Sequence, residues 1–591
     1  MRFAGRDDIA AFAAIPLEQR LAGQDLVARI LGHDPAGPAL HYLPDGRTGA
    51  VTFSRAALTA AAGGIGARLA AAGIGPGDVV AMLLPNGPGT AAAALGTLTH
   101  AVLAPINLYL EPAQIMTLVA ESWARAIMLP ADPPPLVQAM LAAVRDRLDP
   151  AVAIIEITCG SLDAAGPAPA PRRLDDQVAL FHTGGTTGLP KFVPLTARHL
   201  ASGALISAFG YGYAPGDRVV CAMPMFHVGG LFACFLFPLA AGAEVVMLGP
   251  LGYRGPGVVA ELWSTVRATG ATVLVAPPTV HGQIVPDAPA PSLRLLINGA
   301  AAIPQAIEAR LTAATGLPLV QPWGQTECTL AVTSGPRDGR RKPGSVGLAL
   351  PYCTVKAVRV DDEGRATGDC APDEIGVLAV LGPMVFAGYP GRRPDQQPFF
   401  ADGWLDTGDL GRVDADGHVW VTGRAKELIK RGGHGLDPGM IEDALMAHPA
   451  VALAAAIGKP DAYAGELPVA YVELKPGTDA GVAALTDFAA SRIPERAAIP
   501  KEIIILPRLP VTPVGKVHKQ QLKLDATLRA ATACARAIVG TDGPLQADVA
   551  QDRLHGIVAT VRVAGQQVEA VGAALAALPF RSTVQSFEEP A

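Results

Sequence analysis

The sequence predicts an α/β fold: a large N-terminal domain of mixed and parallel sheets with helices and a β-rich subdomain, then a small α+β C-terminal domain. Three observations predict it. Helical and strand-like segments alternate over residues 50–130 and again over 199–330, the rhythm that builds parallel sheets covered by helices. From about residue 345 to 422 the helices thin out, and short apolar runs are punctuated by glycine. After Gly423-Arg424 helix and strand signals mix again. A chain of 591 residues is too long for one core, and the expected domains are 1–423, 424–530 and an extension at 535–591.

Taken in order, residues 54–72 read as an amphipathic helix with Ser54 as its N-cap. Residues 79–84 are apolar on both faces, as a buried strand requires. A helix starting at Gly89 and a strand over 101–107 complete the first β-α-β unit. The Pro/Ala-rich residues 164–171 read as an extended, exposed connector. Strands follow near 217–223, 243–248, 272–276 and 293–297. Residues 228–249 are long and apolar enough to suggest a membrane span. Pro238, Glu244 and a change of period divide them instead into a buried helix over 229–241 and a strand, so no transmembrane segment is expected.

Strands at 355–360, 376–381 and 418–421 form the β-rich part. A helix at 438–448 and strands at 452–457 and 469–474 form the small domain. In the tail, 555–563 and 581–587 read as strands and 567–578 as a helix. The tail carries no chemistry; packing or an oligomer contact is its default role.

Composition narrows the function classes. A net charge of −6 and a pI near 6.1 give no electrostatic case for nucleic acid. The seven cysteines, an odd number with no Cys-x-x-Cys pair, read as small buried residues in a reducing compartment. Residues 1–8 are polar and carry acids, unlike a signal peptide. A cytoplasmic location is expected.

The chemistry starts at His182-Thr183-Gly184-Gly185-Thr186-Thr187-Gly188-Leu189-Pro190-Lys191, directly after the apolar run 178–181. Glycines let backbone N–H groups approach an anion, hydroxyls add donors, and a lysine adds mobile positive charge. The loop suits polyphosphate, though no Gly-Lys-Ser/Thr closes it as a Walker A loop would. Four further motifs follow in order. They are Trp323-Gly324-Gln325-Thr326-Glu327, Trp404-Leu405-Asp406-Thr407-Gly408-Asp409, residues 423–434 with Arg424, Lys426, Gly432 and Gly433, and residues 509–519 with Lys516. Asn298-Gly299-Ala300-Ala301 forms a glycine turn after a strand, and Pro224-Met225-Phe226-His227-Val228-Gly229-Gly230 carries a lone histidine.

Together these motifs resemble the adenylate-forming (AMP-binding) superfamily, which includes acyl-CoA synthetases, peptide-synthetase adenylation domains and firefly luciferase. The acyl-CoA synthetase and fatty-acid–CoA ligase branch fits best. The resemblance covers roughly residues 50 to 525. It implies that Thr183, Gly184, Gly185, Thr186, Thr187, Gly188 and Lys191 hold the β- and γ-phosphates of ATP. Gly184 stands where the family often has serine, which removes one hydroxyl donor. Asn298, Gly299, Ala300 and Ala301 would lie beside adenine with Trp323, which replaces the usual tyrosine. Gly324 and Gln325 belong to the same loop, and the glycine lets the chain pass close to the ligand. Thr326 would donate to the α-phosphate and Glu327 would hold Mg²⁺, which prefers few protein oxygens plus phosphate oxygens.

The resemblance further implies that Asp409 accepts from the ribose hydroxyls and that Arg424 contacts ribose or phosphate. Lys426 matches the position about which a mobile small domain rotates. Gly432 and Gly433 match a loop facing a pantetheine tunnel. Lys516 would be the catalytic lysine, an ammonium offsetting repulsion between carboxylate and α-phosphate, and Lys519 a solvated neighbour. His227, at the mouth of the acyl pocket, would sense the carboxylate or gate the tunnel, with Gly229, Gly230, Leu231 and Phe232 suiting an apolar chain.

The expected reaction is ATP-dependent conversion of an apolar carboxylic acid, foremost a fatty acid, to acyl-AMP and pyrophosphate. Transfer to CoA follows. The alternatives are loading of a separate carrier protein and a non-catalytic nucleotide- or acyl-binding homologue. The expected partners are the acid, ATP and CoA, with a homodimer left open.

Overall fold

The computed structural model describes residues 2–163, 165–183, 191–361, 363–424, 427–432, 434–552 and 556–587. The described residues divide into two compact units. One runs from the start of the chain to Val421 apart from Gly408–Leu410, and the other holds Gly408–Leu410 and everything from Thr422 onward.

The first unit has two sheets that are parallel apart from one strand at the edge of each. One has the order Ala153–Ile157, Ala124–Pro130, Val79–Met82, Val102–Pro105, Gln177–Thr183 and Lys191–Thr196, with the last strand antiparallel to its neighbour. The other runs Leu319–Val320, Leu295–Asn298, Val273–Ala276, Arg218–Cys221, Glu244–Leu248, Pro38–Leu43 and Val51–Ser54. All its pairings are parallel except the last.

Helix Arg55–Ala71 begins as its sequence requires, with the Ser54 hydroxyl accepting from the Ala57 N–H at 3.1 Å. Its inner glycine Gly63 is explained by packing: a Cβ there would lie 1.8 Å from the Pro167 carbonyl oxygen. The connector is therefore packed on this helix at Gly166 and Pro167. Gly166 donates its N–H to the Ala60 carbonyl at 2.9 Å and lies against the same helix.

Residues 229–241 form a helix of an unexpected kind. Gly229–Leu236 is a π-helix, followed by the short α-helix Phe237–Ala240. A Cβ on Gly230 would come within 2.1 Å of the Pro224 carbonyl oxygen, so only glycine lets this helix start against the preceding turn. The Tyr213 hydroxyl donates to the Ala233 carbonyl at 2.9 Å. π-Helical turns are rare and concentrate near functional sites.

The β-rich region is a seven-stranded sheet that includes Thr354–Val360, Gly376–Leu381, Leu405–Val413 and His418–Arg424. Its pairings involving Thr354–Val360 are antiparallel.

In the second unit, Gly465–Leu474 pairs antiparallel with Val451–Asp461 and parallel with Glu502–Leu506. Helix Pro438–Met446 contributes the buried Ile441 and Leu445 to this unit's core. Helix Lys519–Val539 runs straight through the expected break at 530–535. Its Ala531, Ala535 and Val539 pack on the tail sheet through Ala559, Val561 and Val563. That sheet has three strands, and Leu545–Asp552 was not expected from the sequence. Among the described residues no helix is long and apolar enough to cross a membrane, and all seven cysteines are free thiols.

Candidate active site

Strands Leu295–Asn298 and Leu319–Val320 lie side by side and parallel, so the loops after them leave from the same carboxyl edge. In open α/β sheets that edge is where ligands bind. Both loops carry backbone strain. Ala300 and Thr329 have φ values of +73° and +65°. Each sits at the centre of a three-residue turn, closed by Ala301 N–H to the Gly299 carbonyl at 3.0 Å and by Leu330 N–H to the Cys328 carbonyl at 2.7 Å. Positive-φ turns of this kind are rare for residues with a Cβ and cluster at functional sites.

In the first loop the Asn298 side-chain amide donates to the Ala301 carbonyl at 2.7 Å. Its Oδ1 is buried and has no hydrogen-bond partner among the described residues. In the second, the Trp323 backbone pairs with Thr333, and the side chain is nearly buried. Gly324 is needed for a reason different from the expected one. A Cβ there would lie 2.1 Å from the Leu330 carbonyl oxygen, so the close approach is to the protein's own chain. The Gln325 carbonyl accepts from Cys328 N–H at 3.0 Å, closing the one-turn helix Thr326–Cys328.

Glu327 is buried and held from one side by the segment 384–389. The Tyr389 hydroxyl donates to Glu327 Oε1 at 2.6 Å, and Phe386 N–H donates to the Glu327 carbonyl at 2.8 Å. The Thr329 hydroxyl donates to the Met384 carbonyl at 2.8 Å. The Lys191 ammonium lies 4.8 Å from the centre of the Tyr389 ring, a cation–π distance. Tyr389 thus brings together two residues far apart in sequence, and sequence reasoning missed it. The available signal was a phenol in the turn Phe386-Ala387-Gly388-Tyr389-Pro390, where Gly388 has φ +125°.

Thr183 and Lys191 face each other across an antiparallel pair, the Thr183 hydroxyl donating to the Lys191 carbonyl at 3.4 Å. Gly184, Gly185, Thr186, Thr187 and Gly188, together with Lys426 and Gly433, lie outside the described residues.

His227 Nδ1 accepts the Gly229 N–H at 3.1 Å. That bond places the ring proton on Nε2. Leu231 and Phe232 do not line an open chain site. Both are fully buried, with Phe232 stacked on Phe237 at 5.1 Å and edge-on to Phe181. An apolar helix side facing the core and one facing a ligand look alike in sequence.

In the second unit, Asp409 is buried and pairs with Arg424 at 3.0 Å. Lys516 is presented by a tight loop. Gly515 has φ +81°, Lys516 N–H donates to the Thr512 hydroxyl at 3.1 Å, and Thr512 N–H returns to the Lys516 carbonyl at 2.6 Å. Burial and the Arg424 charge push the Lys516 ammonium below the ordinary lysine range, partly opposed by Asp409 and Glu427. Gly432 adopts φ +56° and donates its N–H to the Ala464 carbonyl at 2.8 Å. Lys519 is not solvated as expected: its ammonium pairs with Glu442 at 2.8 Å and Glu427 at 3.4 Å.

Comparison with known proteins supplies the context. The family described as AMP-binding enzyme matches residues 29–390, and the AMP-binding enzyme C-terminal domain matches residues 440–516. The chain is 35% identical to the marinolic acid–CoA ligase of a Pseudoalteromonas species, over 91% of this chain and 86% of that protein. It is 37% identical to the sulfoacetate–CoA ligase of Cupriavidus necator, over 80% of this chain and 92% of that protein. Among solved structures, ATP-bound MatB from Rhodopseudomonas palustris superposes with a TM-score of 0.73 at 28% identity, covering 84% of this chain and 98% of that one. The anthranilate CoA ligase AuaEII with anthranoyl-AMP gives 0.75 at 26% identity, covering 86% and 98%.

Proposed function

The chain belongs to the AMP-binding enzymes and is an AMP-forming acyl-CoA synthetase using ATP and CoA; on that premise we propose that it activates an apolar monocarboxylic acid, with a fatty acid as the first case to test. Between Met223 and Leu236 the only acid or base among the ordinary charge carriers is His227. This stretch offers no lysine or arginine to hold a second acidic group. His227, whose Nδ1 accepts the Gly229 N–H, is the residue assigned to the carboxylate.

The observation that carries the ATP reading is the Glu327–Tyr389–Lys191 set. It puts an acidic oxygen ligand and a mobile cation on one phenol. Glu327 suits Mg²⁺, which takes few protein oxygens and fills its shell with water and phosphate oxygens. Such a site needs no cluster of protein ligands, and among the described residues no group of three or more His, Cys, Asp or Glu gathers. Bound there, the ion would neutralise phosphate charge. Thr183–Lys191 cradles the outer phosphates and Thr326 donates to the α-phosphate. Asn298 Oδ1, a buried acceptor without a donor among the described residues, takes the adenine amino group, beside Gly299–Ala301 and Trp323. Asp409 exchanges its bond to Arg424 for the ribose hydroxyls.

Lys516 bridges the attacking carboxylate and the α-phosphate, so its charge counts only while adenylate forms. For the second half-reaction we assign Gly432 and Gly433 to the pantetheine side and Lys426 to the hinge. A cytoplasmic location fits these soluble substrates.

A panel of acetate, hexanoate, palmitate, benzoate and malonate, read by pyrophosphate release, tests the acid. Preference for malonate would sink the apolar reading. Lys516→Ala should slow adenylate formation by roughly 10²–10³, the scale of losing a transition-state donor. Thioester formation from supplied acyl-AMP should stay within about twofold of wild type. Equal loss in both halves would remove Lys516 from its assigned step.

A further inference from the structure

Lys519 begins the 21-residue helix Lys519–Val539, three residues beyond Lys516. A cation there opposes the helix dipole, which favours acids in a first turn, and that turn contains none. The position is compensated by two carboxylates, Glu442 at 2.8 Å and Glu427 at 3.4 Å. The two are not equivalent. Glu442 Oε1 also accepts the Ala456 N–H at 2.8 Å, which pins it to strand Val451–Asp461. Glu427 follows the Arg424 segment, and its charge acts on the Lys516 ammonium as well.

One carboxylate therefore has two ammonium groups within electrostatic reach. A Glu427 carboxylate closed onto Lys516 would neutralise the charge that the substrate needs. Lys519, anchored to the sheet through Glu442, supplies Glu427 with another partner.

We infer that Lys519 is a positioning residue: by holding Glu427 it keeps the Lys516 ammonium available to the substrate. This rests on the reading that Lys516 acts in adenylate formation. The charged groups facing Lys516 are Arg424, Asp409 and Glu427; those facing Lys519 are Glu427, Glu442 and Asp437, the last also acting on Glu442.

The test compares Lys519→Met, Glu427→Gln and the double variant, each in the full-length enzyme. Readouts are pyrophosphate release, CoA transfer from supplied acyl-AMP, and the alkaline limb of the pH profile. Lys519→Met should lower kcat for adenylation about tenfold, leave CoA transfer within about twofold, and move the alkaline limb upward as Glu427 closes on Lys516. Glu427→Gln alone should keep adenylation, because Lys519 retains Glu442. The double variant should recover most of the lost rate. A merely structural Lys519 would give no such recovery, and failure of the double variant to exceed Lys519→Met would overturn the inference.

Should Lys519→Met fold poorly, Glu427→Gln still decides. Collapse of its adenylation rate would mean that Glu427 is needed rather than restrained. If Lys516→Ala left adenylation intact, the assignment of Lys516 would fall, a result distinguishable from either of these.

Discussion

Glu327 and Lys516 are positioned by different kinds of force. Around Glu327 the chain itself is the scaffold: two positive-φ turns at Ala300 and Thr329, a glycine pressed against Leu330, and neutral donors from Phe386, Thr329 and Tyr389. Around Lys516 a tight turn at Thr512 and Gly515 is joined by charge: Asp409 with Arg424, and Lys519 with Glu427 and Glu442. A backbone scaffold holds one geometry whatever the salt or pH. An ionic one can be rearranged by a proton or by an incoming phosphate. On the proposed reading, fixed geometry suits the parts that would receive the nucleotide, and exchangeable pairs suit groups that would trade internal partners for substrate.

If the Glu327 loop is built by sterics, the harshest way to break it is to add one methyl group. Gly324→Ala would put a Cβ 2.1 Å from the Leu330 carbonyl oxygen and 2.6 Å from the Ala331 Cα. Neither atom is at the end of a flexible side chain, so the loop must move. We expect about 3 kcal/mol of destabilisation and at least about 10²-fold lower adenylation. Thermal unfolding and pyrophosphate release measure both. Wild-type behaviour would mean that the loop is soft and the contrast with the second unit is false.

Tyr389→Phe removes one hydrogen bond and keeps the ring. A bond to an ionised group contributes about 1.5–3 kcal/mol, so the Mg²⁺ concentration needed for half-maximal pyrophosphate release should rise about tenfold. The melting temperature should fall by only a few degrees. An unchanged Mg²⁺ requirement with a large fall in stability would make Tyr389 a packing residue and nothing more.

The ionic region makes the complementary prediction, in pH. In the proposed mechanism Lys516 acts as an ammonium, and burial with Arg424 lowers its pKa below 10.5. Adenylation should therefore fail, as pH rises, sooner than an ordinary lysine would lose its proton. Removing a like charge raises the pKa of the remaining one, so Arg424→Gln should move this limb upward even while weakening ATP binding. A limb that stayed fixed would show that Arg424 does not act on Lys516.

The two regions also differed in legibility. Glu327, Asp409 and Lys516 could be singled out as candidates because each sits in a short motif whose order along the chain carries information. Ser54 was readable because an N-cap is a local hydrogen bond. Tyr389 was not, because its bond to Glu327 spans 62 residues and nothing local marks it. Lys519 looked solvated because neither carboxylate partner is near it in sequence. Leu231 and Phe232 misled for another reason, since apolarity does not say which side is core. Strand Leu545–Asp552 was hidden by its polar outer face, where Gln546 and Asp548 are exposed.

The gentlest test asks whether strain at Ala300 serves function or merely accompanies it. Its φ of +73° costs a residue with a Cβ roughly 1–2 kcal/mol. Glycine would remove that cost but lose about 0.5–1 kcal/mol through greater freedom in the unfolded chain. The difference predicts that Ala300→Gly gains up to about 1 kcal/mol of stability in denaturant melts. Asn298 and the Ala301 carbonyl keep their hydrogen bond, because neither depends on the Ala300 methyl. The KM for ATP should then stay within about twofold. A tenfold rise in that KM at unchanged stability would mean that the methyl group itself touches the nucleotide, and the turn would be a contact surface rather than a backbone scaffold.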